Sequence, residues 1–327
     1  MIKYFFSGLI LLSINVTAVA LPTAKLTLKV VDENGLPVEG AKAGIALYGK
    51  KNSSARGITN NNGFFTGSGA TQNLLGYLVR KEGYYRSSGQ YSGFNSISGI
   101  IGFRRWEPWN PTVGVVLKKK INPTPLYAVK IDSRFSNHLP TLPVLGQFVG
   151  YDLIAGDWVV PHGQGTHRDF LFKLEKHRAA SRRDHHVTLT LKFPYEGDGI
   201  RSYYAQPNTG SALRLPYHAP STGYEPEIVF DKNRTKTKII SGDIREDQNY
   251  FFRVRTEKDE EGNIVSALYG KIHGAIELGS FVGPKSPTGS VYFTYYLNPT
   301  PNDTNLEFDT RKNLFTDLSK QEKVRLP

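Results

Sequence analysis

Apolar and polar residues alternate along most of this chain with a period of two, and turn residues interrupt the alternation about every ten positions, which is the pattern of half-buried strands. "AKLTLKVVD" puts Leu26, Leu28 and Val30 on one face. "DENGLPVEGA" follows, where Asn34-Gly35 permits a positive φ and Pro37 fixes the exit from the turn. "AKAGIALYG" is a second strand, and "GITNNNGFFTGSG" reads as a tight hairpin with Phe64 and Phe65 opening the return strand. "GYLVRKEGYY" and the alternation Val113, Val115, Leu117 complete a first group.

A second group begins after the proline-bearing stretch "INPTPLY". "HVTLTLKF" alternates Val187, Leu189, Leu191 and Phe193. "YFFRVRTE" and "IVSALYGKIHGAIEL" flank the turn "KDEEGN", and "SVYFTYYLN" alternates Val291, Phe293 and Tyr295. "DKNRTKTKII" places Arg234, Lys236 and Lys238 on one face of an exposed strand. A helical period is found only in the tail, where "FTDLSKQEKVR" would form one short helix. The expectation is an all-β protein of two antiparallel β-sandwich domains: residues 21–121, prealbumin- or immunoglobulin-like, and residues 122–309, a sandwich or jelly-roll-like fold. Residues 310–327 form the tail.

Residues 1–20 read as a cleaved signal peptide, with Lys3 in the positive segment, an apolar run from Tyr4 to Leu12 and the small-residue site Ala18-Val19-Ala20. That run is too short and too interrupted by Ser7, Ser13, Asn15 and Thr17 for a membrane span, and no later segment is long and apolar enough to be one. The expected location is periplasmic or secreted. The chain has no cysteine, which excludes disulfides, thiolate metal sites and a cysteine nucleophile together. Its core alone must hold it.

The first group of strands resembles the transthyretin-like, carboxypeptidase-regulatory-like β-sandwich of exported bacterial proteins. The resemblance rests on Asp32, Gly35, Pro37, Val38, Gly40 and Ala41, on Gly57, Thr59, Asn60, Gly63 and Phe64, and on Tyr77, Val79, Lys81, Gly83 and Tyr84. It covers residues 24–120, and Asn60 departs from the acidic residue usual in the family. It implies a structural or binding module that is not itself catalytic. The whole chain resembles uncharacterised exported bacterial proteins.

A metallocarboxypeptidase would need H-x-x-E, and none of the eight histidines has glutamate at the third position; His273 has Glu277 at the fourth. Nucleophile-elbow, P-loop and dinucleotide motifs are absent as well. Glu196 and Asp198 are the least implausible glycosidase pair. "DWVVPHGQGTHRDFLF" gathers Asp157, His162, His167 and Asp169 as weak metal candidates, with a solvated turn as the plainer reading. Asp303, Asn305, Glu307 and Asp309 alternate as in a calcium loop, but Phe308 stands where such a loop takes glycine, so capping and pairing with Arg311 and Lys312 is favoured. No cofactor is expected.

Charge changes the picture more. Forty-one lysines and arginines against 29 aspartates and glutamates give +12, a balance that draws polyanions. Arg178, Arg182 and Arg183 concentrate between two predicted strands, and Arg104 and Arg105 precede Trp106 and Trp109, where indole rings would stack on sugars and the guanidiniums would meet acidic substituents. The composite expectation is an exported, non-catalytic binding or scaffolding protein of the bacterial cell envelope. Its ligand would be an anionic glycan or another polyanion; nucleic acid is not among the expected partners. A hydrolase with a metal or carboxylate site in the second domain, and a structural subunit of a surface assembly, are the alternatives, and the oligomeric state is left open. If the signal is cleaved as read, intact-mass analysis of the exported protein will find Leu21 at its N-terminus; retention of Met1 to Ala20 would refute the reading.

Overall fold

The computed structural model describes residues 21–49, 53–100, 103–132, 141–181, 183–205, 210–242, 245, 247–278 and 289–327. The expected signal peptide lies outside them. The described residues contain strands and turns and no helix, so the protein is all-β. They divide into two compact units: one runs to Lys81 and resumes at Ser88–Val116, and the other comprises Glu82–Ser87 and Leu117–Pro327.

The first unit is built on β1 (Thr23–Asp32), β2 (Lys42–Leu47), β3 (Ser53–Ile58), β4 (Phe64–Ala70), β5 (Leu75–Arg80), β6 (Ser87–Tyr91), β7 (Ser96–Ser98), β8 (Arg105–Glu107) and β9 (Thr112–Leu117). One sheet has the order β4-β1-β8-β7 with β9 also on β1, and the other has the order β3-β2-β5-β6. Leu26, Leu28 and Val30 of β1 and Ala43, Ile45 and Leu47 of β2 are buried, as their alternation predicts. Gly67 and Gly69 of β4 leave room for Ile45 and Leu47 side chains that a Cβ would strike.

The segment expected to be a hairpin is not one. β3 pairs with β2 whereas β4 pairs with β1, so residues 59–63 carry the chain from one sheet to the other. Thr59 is buried and its Oγ1 both donates to the Val38 carbonyl and accepts from the Ala41 N–H, while Asn60 Oδ1 accepts from Asn62 and Phe64 and Gly63 sits at φ 75°. These side-chain bonds stabilise a corner where a two-strand turn was expected.

The second unit holds β10 (Thr124–Ile131), β11 (Thr141–Leu142), β12 (Val149–Asp152), β13 (Asp157–Trp158), β14 (Phe170–Ser181), β15 (Asp184–Lys192), β16 (Gly199–Tyr204), β17 (Glu227–Arg234), β18 (Ile239–Ser241), β19 (Gln248–Lys258), β20 (Ile264–Ile272), β21 (Glu277–Leu278), β22 (Gly289–Asn298) and β23 (Phe308–Asn313). The order β16-β19-β20-β22-β10-β23, with β11 and β21 on β22, makes an eight-stranded sheet; β13-β12-β14-β15-β17-β18 makes a six-stranded one. Between them lies one core, in which Phe170 meets Phe172, Phe193 and Phe252 edge-on at 5.1–5.8 Å. The other face of the eight-stranded sheet is covered too, by clusters around Phe251 and Tyr269 and around Tyr296 and Phe308. Burial on both faces explains the consecutive apolar residues Tyr250–Phe252 in β19 and Tyr295–Leu297 in β22.

Two expectations fail in this unit. "DKNRTKTKII" is not one strand: β17 ends at Arg234, and Thr235 and Lys238 close a turn through a backbone bond and the Thr235 hydroxyl before β18 begins. The tail forms no helix either. Ser319 and Glu322 make a single turn, with Glu322 Oε2 accepting the Ser319 N–H, and Glu322 is fully buried while its carbonyl accepts from Lys130 of β10, so tertiary pairing overrides the local period.

Two buried charges of the unit, Glu307 and Lys271, are tied within it. Glu307 accepts from the Tyr85 hydroxyl and from the Ile121 and Asn122 amides, which anchors the segment Glu82–Ser87 in this unit. Lys271 is fully buried, donates to the Leu306 carbonyl at 2.7 Å and lies 4.6 Å from the Tyr296 ring; desolvation, with Lys118 nearby, pulls its ammonium down to about 7.

The densest polar knot joins the two sheets. A bulge in β19 sets Arg255 at φ 55°, and its guanidinium reaches Asp169 through two bonds of 2.8 and 2.9 Å and Asp152 at 3.0 Å. Asp152 also accepts from the amides of Ile154, Ala155, Thr166 and His167, which outweigh its desolvation and hold its carboxyl below the ordinary range. Asp198 accepts from the Arg255 and Thr256 amides and so holds the bulge, but burial still pushes its carboxyl up to about 6. Removing Asp169 would strand a desolvated guanidinium: Asp169→Ala should destabilise by ~3–5 kcal/mol in chemical denaturation, and a loss no larger than that of a surface pair such as Lys130–Asp132 would refute the clamp. Because Asp198 binds its proton more tightly folded than unfolded, its contribution should fall as pH rises from about 4 to about 6, by on the order of 2–3 kcal/mol; Asp198→Asn should flatten that slope in stability measured against pH.

Candidate functional site

Where β17 of the six-stranded sheet diverges from β16 and β19 of the other, the sandwich of the second unit opens into a groove of about 300 Å³, at the lower end of the ~300–1,000 Å³ usual for small-ligand sites. Alternation on β17 turns Ile228, Phe230 and Lys232 to one face, and Phe230 meets Tyr250 of β19 edge-on at 6.1 Å, forming an apolar floor with Ile276. Ser202, Tyr204 and Gln248 supply polar groups along the wall, the last two being cross-strand neighbours on β16 and β19.

Tyr204 is 51% exposed. The Arg245 guanidinium lies 4.6 Å from its ring and is itself held by two bonds to Asp247, at 3.0 and 2.9 Å, so the aromatic surface is braced. Lys232 is different. Among the described residues its ammonium has one hydrogen-bond partner, the Leu278 carbonyl at 3.4 Å, and no carboxylate within ion-pair distance. Desolvation lowers its pKa, with Glu277 opposing and Arg234 adding to the shift. A half-buried cation with so little compensation is an attractive point for an anion.

The residues singled out in the sequence are distributed differently. In the first unit Trp106 turns inward, donating to the Thr71 carbonyl and packing 6.0 Å from Phe94. Trp109 is 38% exposed, with the Arg105 guanidinium 5.4 Å and the Lys25 ammonium 5.9 Å from its ring, and Arg105 pairs with Glu107. Arg104 is half-buried, and its carbonyl accepts from Thr23 at the start of β1. Thus Arg105 and Trp109 come together, and Trp106 serves the core. In the second unit Arg178 is occupied within the fold by Asp184, Asn233 and the Arg234 carbonyl; Arg183 is exposed at the tip of the β14–β15 hairpin, and Arg182 lies outside the described residues.

The histidine-rich loop does not gather its ligands. Asp169 belongs to Arg255, Asp157 accepts from the Trp158 and Gln164 amides, and the His167 ring bonds Thr166, while His162 is exposed. Among the described residues no group of three or more histidines, aspartates and glutamates is placed to hold a metal. Glu196 pairs with Lys258 and Asp198 caps the bulge, so the two do not face each other as an acid and base would. In "NDTNLEFD", Asp303, Asn305 and Asp309 each accept from the amide two residues on, Asp309 also pairs with Arg311 and Lys312, and Glu307 is taken by Tyr85, Ile121 and Asn122.

Lys232 was missed, although the sequence carries a signal for it: it continues the inward alternation of Ile228 and Phe230, and a lysine in a core-facing strand position needs a reason.

No protein-family model matches the chain, and no curated protein matches it. Solved structures similar to it include a DUF3823 family protein from Parabacteroides merdae at 8% identity and TM-score 0.20, covering 88% of this chain and 100% of that one. The major pilin subunit of Bacillus cereus, at 11% identity and TM-score 0.23, covers 89% and 97%. A 3-chlorocatechol 1,2-dioxygenase from Rhodococcus opacus, at 15% identity and TM-score 0.26, covers 36% and 70%. At these TM-scores none of them carries an argument about function. No helix among the described residues is long and apolar enough to cross a membrane.

Proposed function

We propose that this is an exported, non-catalytic binding protein of the bacterial cell envelope, and that the groove of its second unit takes an anionic glycan. The observation that carries the proposal is the Lys232 ammonium, half-buried at the groove and matched, among the described residues, by one long carbonyl contact with Glu277 beyond ion-pair distance. A carboxylate or sulfate on the ligand would complete it, at the ~1.5–3 kcal/mol typical of hydrogen bonds to charged groups. Tyr204 offers a ring face to a sugar, Arg245 holds that face in place, and Ser202 and Gln248 supply hydroxyl and amide partners for sugar hydroxyls. The net charge of +12 supports the same reading by concentrating acidic polymers near the surface.

The signal-like first 20 residues and the resemblance of the first strands to a regulatory-like sandwich support export and a binding role. Trp109 with Arg105 offers the first unit a smaller surface of similar chemistry.

Calorimetric titration with matched acidic and neutral oligosaccharides, at two salt concentrations, tests the proposal. Acidic ligands should bind more tightly, with affinity falling as salt rises. Lys232→Met should weaken them about tenfold or more, and Tyr204→Ala should weaken acidic and neutral ligands alike. Equal affinity for both classes, or acidic binding untouched by Lys232→Met, would overturn it.

A further inference from the structure

The outer face of the six-stranded sheet carries two stacked imidazoles that the groove does not use. The rings of His177 on β14 and His186 on β15 have centroids 4.6 Å apart with planes inclined by 44°. Simple alternation would separate them, because Arg178 is the residue paired with His186. The register shift between Lys176 and Arg178 makes His177 the extra residue of a bulge and brings its ring beside His186.

The hydrogen bonds around the pair set its tautomers. Thr188 Oγ1 donates to Asp231 Oδ1 at 3.2 Å, so its oxygen is the acceptor for His177 Nε2–H at 2.9 Å. Asp231 Oδ1, a carboxylate oxygen, accepts His186 Nε2–H at 2.7 Å. Both neutral rings therefore carry their proton on Nε2 and present Nδ1 as a lone pair. Metal-ligating histidines are oriented in this way, with the far ring N–H given to a carboxylate or another oxygen. His177 is exposed and the His186 side chain is 29% exposed, so an ion has access from solvent.

From this arrangement we infer that His177 and His186 form a two-histidine site for a divalent transition metal such as Zn²⁺ or Cu²⁺, with Asp231 and Thr188 as positioning residues and water completing the coordination. Imidazole nitrogens suit these ions. With metal–nitrogen bonds of ~2.0–2.1 Å, a shared ion requires the exposed His177 ring to turn its Nδ1 toward that of His186. Beside the pair, Arg178 is held by Asp184 and Glu175 by Lys173. The metal site uses the Asp231 carboxylate, which holds His186, and not the Lys232 ammonium on which the glycan reading rests.

Titration of the chelator-free full chain with Cu²⁺ and with Zn²⁺ should give one saturable site that His177→Ala/His186→Ala abolishes. Asp231→Asn should weaken it by ~10–100-fold, the usual effect of losing an orienting partner. In the unsubstituted protein, Cu²⁺ should broaden the nuclear magnetic resonance signals of His177 and His186 first, and their ¹⁵N shifts before metal is added should report Nε2–H tautomers, which tests the site even if a variant folds poorly. No saturable binding of either metal, unchanged affinity in the double variant, or Nδ1–H tautomers would overturn the inference.

Discussion

The ion cluster of Arg255 with Asp152 and Asp169 is the constraint on which the second unit turns. Two sheets packed through aromatic side chains alone can slide, because the hydrophobic effect has no direction. A guanidinium held bidentately by one carboxylate and touched by a second fixes β19 against β12 and the start of β14 in distance and angle together. Its cost is the strained Arg255 backbone, which Asp198 helps to hold by accepting the amides of the bulge. Asp152 then organises the loop after β12 through four amides. A single half-buried arginine thus links sheet packing, a bulge and a loop.

With the sheets fixed at that end, the strands at the other can part. β17 leads away toward β18 as β16 reaches its last residue, and the groove between them is floored by Phe230, Tyr250 and Ile276 and walled by Lys232, which among the described residues has no carboxylate within ion-pair distance. The same physical rule, that an ammonium taken from water needs a counter-charge or full hydrogen bonding, is satisfied differently by Lys271. That lysine has a short carbonyl bond, an aromatic face and Glu307 nearby, and it is sealed in a core; Lys232 has Glu277 nearby but only a long carbonyl contact, and it stands beside a groove. Burial alone does not make a lysine a binding residue; incomplete compensation at an accessible wall does.

Much of the fold was legible in the order of apolar and polar residues. Leu26, Leu28 and Val30 face a core, as do Val187, Leu189 and Leu191, because a strand has a period of two and one face must leave water. The hairpin around "KDEEGN" was legible as well, since Asp259 and Gly262 are the residues that such a turn requires. The site was legible only in part: the basic excess was visible as a polyanion signal, but Trp106 and Arg178 looked available and are engaged within the fold.

The sequence by itself determined the strands, the all-β class and the excess of positive charge, because these follow from local periodicity and composition. Only the tertiary structure decided which strands pair, as at Thr59–Gly63, where the chain changes sheets instead of folding back. Only it decided which charges are spent. Asp157, Asp169 and Asp198 looked like site residues and are caps and clamps, whereas Lys232 looked like a strand residue and stands in a groove. The reason is that pairing and compensation depend on groups far along the chain, such as Arg255, which is 86 positions from Asp169 and 103 from Asp152, and no local pattern encodes a partner at that separation.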